Sequence, residues 1–115
     1  MSRLVPLILD AVLVVVFAAI GRRSHAEGLD LVGIARTAAP FLAGAGVGWV
    51  LATFTMSAEP RSLTFGAVTV AAAVVIGMTI RVLTGAGTAF SFIVVATISL
   101  SVLLLGWRLI ARFVS

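Results

Sequence analysis

Four apolar stretches, at residues 4–20, 31–56, 63–84 and 88–111, are each long enough to cross a bilayer as a helix. A helix rises about 1.5 Å per residue, so roughly 20 apolar residues span the ~30 Å of hydrocarbon. Mean hydropathy is +1.28 and 62% of the residues are apolar, against roughly 45–50% in soluble domains. So few polar residues cannot coat a globule in water. The chain is therefore expected to be all-α and polytopic, and its 115 residues leave no length for a separate soluble module.

The joints between the stretches are short. Gly21 opens the polar segment 22–28, Pro60 interrupts 57–62 with Ser62 as the expected N-cap, and Gly85 and Gly87 mark a tight turn before Thr88, a second N-cap. Short joints make consecutive helices antiparallel neighbours, which gives an up-down-up-down four-helix bundle. Arg3 and the Ser24-His25-Ala26 run resemble the ends of a secretory signal. Asp10 inside the apolar run and Arg22-Arg23 after it argue instead for a retained first span. Thr37-Ala38-Ala39-Pro40-Phe41 and Thr88-Ala89-Phe90-Ser91-Phe92 share the pattern Thr-Ala-x-x-Phe, a faint sign of two tandem helical hairpins.

Several chemistries are excluded by composition. There is no cysteine, hence no disulfide and no thiolate-held metal, and one histidine, His25, has no ligand partners nearby. No metal, no cofactor and no enzymatic reaction are expected. The net charge of +4 sits at helix ends, so its expected partners are anionic membrane lipids rather than nucleic acid. The end of the bundle that holds both termini, end A, carries Arg3, Arg61, Arg108 and Arg112. The opposite end, end B, carries Arg22, Arg23, Arg36 and Arg81. Arg36 and Arg81 lie inside helices and weigh less, which puts the termini in the cytoplasm of a bacterial inner membrane; insertion in both orientations is the competing reading.

The charges inside the spans are the candidate functional residues. Asp10 lies about two turns into the first span from end A, where a charged residue costs roughly 2.5–3.5 kcal/mol. Arg108 lies at nearly the same depth in the fourth span, so the two are expected to contact. Such a contact either locks two helices or serves proton or ion movement. At end B, Arg22, Arg23, Arg36 and Arg81 face only Glu27 and Asp30 as counter-charges. Guanidinium forks suit phosphate or carboxylate, so Arg22, Arg23, Arg36 and Arg81, with the turn leading to Thr88, are expected to hold an anionic headgroup or solute. The bland reading has the arginine stems snorkelling to phosphates. Trp107 is expected to anchor at the interface and Trp49 to pack inside.

Small residues mark where helices touch. Gly44, Gly48 and Ala52 form one ridge on the second span, and Ala73 and Gly77 another on the third. A dimer through one of these ridges is expected. The serines and threonines of spans three and four commonly bond to their own i−4 carbonyls, so they prove no polar path.

Gly21-Arg22-Arg23-Ser24-His25, Arg36-Thr37-Ala38-Ala39-Pro40-Phe41, Gly77-Met78-Thr79-Ile80-Arg81, Gly85-Ala86-Gly87-Thr88-Ala89-Phe90-Ser91-Phe92 and Leu105-Gly106-Trp107-Arg108 together resemble an actinobacterial family of small four-helix membrane proteins, a domain of unknown function. The resemblance implies the architecture and a bacterial inner membrane, and no activity. Two function classes fit these residues: an oligomeric transporter or channel for an ion or small anionic solute, and a non-catalytic subunit of a larger membrane complex.

Overall fold

The computed structural model describes residues 3–24, 31–85 and 90–114. Four helices alternate in direction: α1 (Leu4–Ser24), α2 (Leu31–Thr55), α3 (Leu63–Leu83) and α4 (Phe90–Val114). Each is long and apolar enough to cross a membrane, and the longest dimension of the bundle is 39 Å, close to the ~40–45 Å of a bilayer with its headgroups. The protein is a multi-pass membrane protein.

Helix ends differ from the limits of the apolar stretches. Hydropathy marks where hydrocarbon stops, whereas backbone hydrogen bonding continues α1 to Ser24 and α4 to Val114. Ser62 caps α3 as its sequence suggests, its Oγ accepting from Phe65 N–H at 3.1 Å. Before it, Ser57 takes a positive φ of 51° and Ala58 N–H bonds back to Ala52 carbonyl at 2.9 Å, closing the end of α2. Residues 86–89, including Thr88, and residues 25–30, including His25, Glu27 and Asp30, lie outside the described set.

Two wide π turns, unforeseen in the sequence, interrupt the helices at Leu51–Thr55 in α2 and Ser101–Leu105 in α4. Their effect in α4 is legible. Ala96, Leu100, Leu104 and Arg108 are all fully buried although spaced by four. In an ideal helix of 3.6 residues per turn that spacing drifts about 40° per step. The wider turn takes up the drift and keeps Arg108 on the line that faces the bundle interior.

The tightest seam is between α2 and α3. A methyl group on Gly44 would lie 2.7 Å from the Ala72 carbonyl oxygen and 2.8 Å from Ala73 Cα, and one on Gly48 2.8 Å from Thr69 Cα. On the other flank of the seam the Phe41 ring covers Gly77, with Cδ1 2.6 Å from where a Cβ would be. Ala52 and Ala73 are fully buried. The two small-residue ridges thus pack within one chain, backbone against backbone, so the close approach expected of Gly44, Gly48, Ala52, Ala73 and Gly77 is made inside the bundle. Above this seam, toward end B, Phe17, Phe41 and Phe92 from three helices meet with centroids 5.2–6.4 Å apart and fill the centre with Val14, Leu100 and Leu104.

Candidate functional site

Asp10 of α1 and Arg108 of α4 are brought together at end A, both fully buried. Arg108 Nη2 donates to Asp10 Oδ2 at 2.8 Å and Nη1 donates to Oδ1 at 2.9 Å, the bidentate fork that gives the strongest carboxylate pairing. The remaining donors are also used. Nε and Nη2 donate to the Pro60 carbonyl at 3.1 and 3.0 Å, and Nη1 to the Leu104 carbonyl at 2.9 Å. A guanidinium has five N–H groups, and all five are placed.

The carboxylate is equally full. Trp107 Nε1 donates to Oδ1 at 2.9 Å and Trp49 Nε1 to Oδ2 at 3.2 Å. Each oxygen therefore accepts two bonds, which matches the roughly four lone-pair sites a carboxylate offers. The guanidinium carbon also lies 4.6 Å from the Trp107 ring centroid and 5.6 Å from that of Phe65, so aromatic faces cover what the hydrogen bonds leave. Among the described residues no buried side-chain nitrogen or oxygen lacks a partner.

Sequence reasoning missed three members of this site. Trp49 and Trp107 read as packing and interface residues, yet both indoles are hydrogen-bonded to Asp10. The signal was partial: an indole N–H within an apolar span needs an acceptor, but the sequence does not say which one. Gly66 is the third: a Cβ there would meet Leu105 Cδ2 at 2.8 Å and Arg108 Cδ at 2.9 Å, so the absent side chain seats the arginine. The Pro60 carbonyl completes the site because the 57–62 turn folds the buried Pro60 over the guanidinium.

At end B the candidate cations part company. Arg36 is exposed and lines an open groove of about 670 Å³ with Ala39, Pro40, Ile80, Thr84 and Gly85. Arg81, on the adjoining face of α3, lies with its guanidinium carbon 4.6 Å from the Phe92 ring centroid. Arg36 thus lies beside residues of α2 and α3, and Arg81 reaches across to α4. The side chains of Arg22 and Arg23, and Thr88, lie outside the described set.

Five threonine hydroxyls are engaged within their own helices. Thr37, Thr69, Thr79, Thr84 and Thr97 each donate to the carbonyl four residues earlier, at 2.7–3.1 Å. Among the described residues no three His, Asp or Glu side chains gather as metal ligands.

No curated protein and no solved structure matches this chain. A family profile does, over residues 7–111, which takes in Asp10, Trp49, Gly66, Trp107 and Arg108. The chain belongs to the family described as "Protein of unknown function (DUF3054)".

Proposed function

We propose that this protein is a non-catalytic membrane subunit, which works through its surface rather than by passing solute through its interior. It sits in a bacterial inner membrane with its termini in the cytoplasm, and its end-B arginines engage anionic lipid headgroups. The observation that carries this reading is the saturation of Asp10 and Arg108. A carboxylate with every lone pair occupied and no exposure has no place for a travelling proton or ion. The interior around it is filled by aromatic and branched side chains. In this reading the pair holds the first and last spans together.

Transport keeps one supporting observation, the Arg36 groove, which is where a small anion would enter. One turn deeper, the Phe41 ring seated on Gly77 fills the space between α2 and α3. That ring closes the groove toward the bundle centre on this side.

Reconstitution into liposomes separates the two. The subunit reading expects proton, chloride and phosphate flux equal to that of protein-free vesicles, with anionic lipid retention lowered by Arg36→Gln. Anion flux above that background, abolished by Arg36→Gln, would establish transport instead. Orientation is read separately, from labelling of a cysteine placed at Ser2 with a membrane-impermeant reagent in intact cells and in inverted vesicles. The cytoplasmic assignment expects labelling in inverted vesicles alone.

A further inference from the structure

At end A a cleft of about 450 Å³ opens where the 57–62 turn and the start of α3 meet the last turns of α4. Glu59 and Arg61 line it from the turn, Thr64 from α3, and Ala111 and Arg112 from α4. The buried Arg108 forms its floor, but the N–H groups of that guanidinium are already given to Asp10, Pro60 and Leu104. A ligand in the cleft therefore has to be held by its walls.

The walls carry two arginines of another kind. Neither the Arg61 nor the Arg112 guanidinium has an acceptor or a counter-charge among the described residues. Glu59 stands beside them, its carboxylate accepting the Arg61 backbone N–H at 3.3 Å, and it pairs with neither. Since Asp10 cancels the charge of Arg108, two guanidiniums face one carboxylate and one positive charge is left over. The start of α3 adds to it: Ser62 takes the Phe65 and Gly66 N–H groups, while those of Leu63 and Thr64 have no acceptor among the described residues.

Guanidinium forks and backbone N–H groups match the oxygens of a phosphate. The volume falls in the ~300–1,000 Å³ of ligand sites and is the room of about fifteen waters at roughly 30 Å³ each, ample for a phosphate ester with its headgroup. Depth indicates the carrier. Arg112 stands four residues beyond the buried Arg108, about 6 Å outward at 1.5 Å per residue, where a span leaves hydrocarbon for headgroups. Ile110 and Phe113, on either side of Ala111 and Arg112, are exposed and offer acyl chains an apolar surface.

We propose that this cleft binds the phosphate group of a phospholipid from the end-A leaflet, with Arg61 and Arg112 as its ligands. The headgroup occupies the cleft, and the acyl chains lie outside it against α4. The site is at the opposite end of the bundle from the Arg36 groove.

Calorimetry in nonionic detergent tests it with three probes: dihexanoyl phosphatidylglycerol, dihexanoylglycerol, which keeps the tails without the phosphate, and inorganic phosphate. All chains carry Arg36→Gln, so that binding at the other groove does not contribute. The phospholipid is expected to bind about tenfold more tightly than either other probe, and Arg61→Gln and Arg112→Gln are each expected to weaken it about tenfold. Neither side chain bonds to the described residues, so both variants are expected to unfold at the parent midpoint. Arg3→Gln removes the same charge from end A outside the cleft and is expected to change binding by about twofold or less. Glu59→Gln is expected to bind the phospholipid at least as tightly as the parent. Equal binding of inorganic phosphate or of dihexanoylglycerol overturns the proposal. So does a loss in Arg3→Gln as large as in Arg61→Gln, which would mark general attraction to a basic surface. Weaker binding in Glu59→Gln also overturns it, since a cation would then be the occupant.

Discussion

Asp10 illustrates how an expensive residue becomes tolerable inside an apolar bundle. Its insertion cost of roughly 2.5–3.5 kcal/mol is offset by four hydrogen bonds, two of them from the Arg108 guanidinium. Removing one partner is costly because it strands the other. Asp10→Ala leaves a fully buried guanidinium without its counter-charge and is expected to destabilise the protein by about 3–5 kcal/mol, read as unfolding in detergent. Trp107→Phe keeps an aromatic face on Arg108 but leaves Oδ1 one donor short, an expected loss of about 1–3 kcal/mol. Trp49→Phe should cost less than Trp107→Phe, since its bond is the longer at 3.2 Å against 2.9 Å. Equal stability of both tryptophan variants with the parent would contradict the hydrogen-bonding role. Depth along each span was legible in the sequence, because the chain is counted inward from its charged ends. Rotation about the helix axis was not. Spans that are apolar on nearly every face carry no stripe to say which side looks inward, so the two indoles could not be aimed at Asp10 in advance.

At the scale of helices, the same ambiguity governed the small-residue ridges. Gly44 and Gly48, and Ala73 and Gly77, recur at spacings of four and mark close approach, but such a ridge fits a neighbour in the chain and a neighbour in another copy equally well. The structure gives them to each other. Gly44→Val is therefore expected to lower the unfolding midpoint without altering oligomer size. Its added carbon at 2.7 Å meets the backbone carbonyl of Ala72, which cannot swing aside, at an overpacking cost of about 1–3 kcal/mol or more. Gly46→Ala, which meets nothing within 4 Å, is expected to be neutral or to stabilise by up to about 1 kcal/mol. A dimer that fell apart in Gly44→Val while the monomer stayed folded would put the ridge back at a subunit boundary. The π turns were illegible for a different reason. Leu51–Thr55 and Ser101–Leu105 contain no glycine or proline to announce them, and the second lies where the α-helical period would carry Arg108 off the inward-facing line.

Across the whole molecule, what the sequence carried most clearly was the count and placement of the spans. Four hydrophobic runs separated by short polar joints leave one economical arrangement, and the loops enforce its alternation. The closure of that arrangement is a tertiary matter. Contact along the chain makes α1 a neighbour of α2, α2 of α3 and α3 of α4, but no joint ties α4 back to α1. Asp10 and Arg108 do so, and the Pro60 carbonyl draws the 57–62 turn into the same knot. The claim that this network is a structural lock is tested most directly by a double-mutant cycle on Asp10→Ala and Arg108→Ala, followed by equilibrium unfolding in detergent. The account predicts that the double variant is no less stable than the worse single variant, with a coupling of about 2 kcal/mol or more. Additive losses, or single variants as stable as the parent, would contradict it.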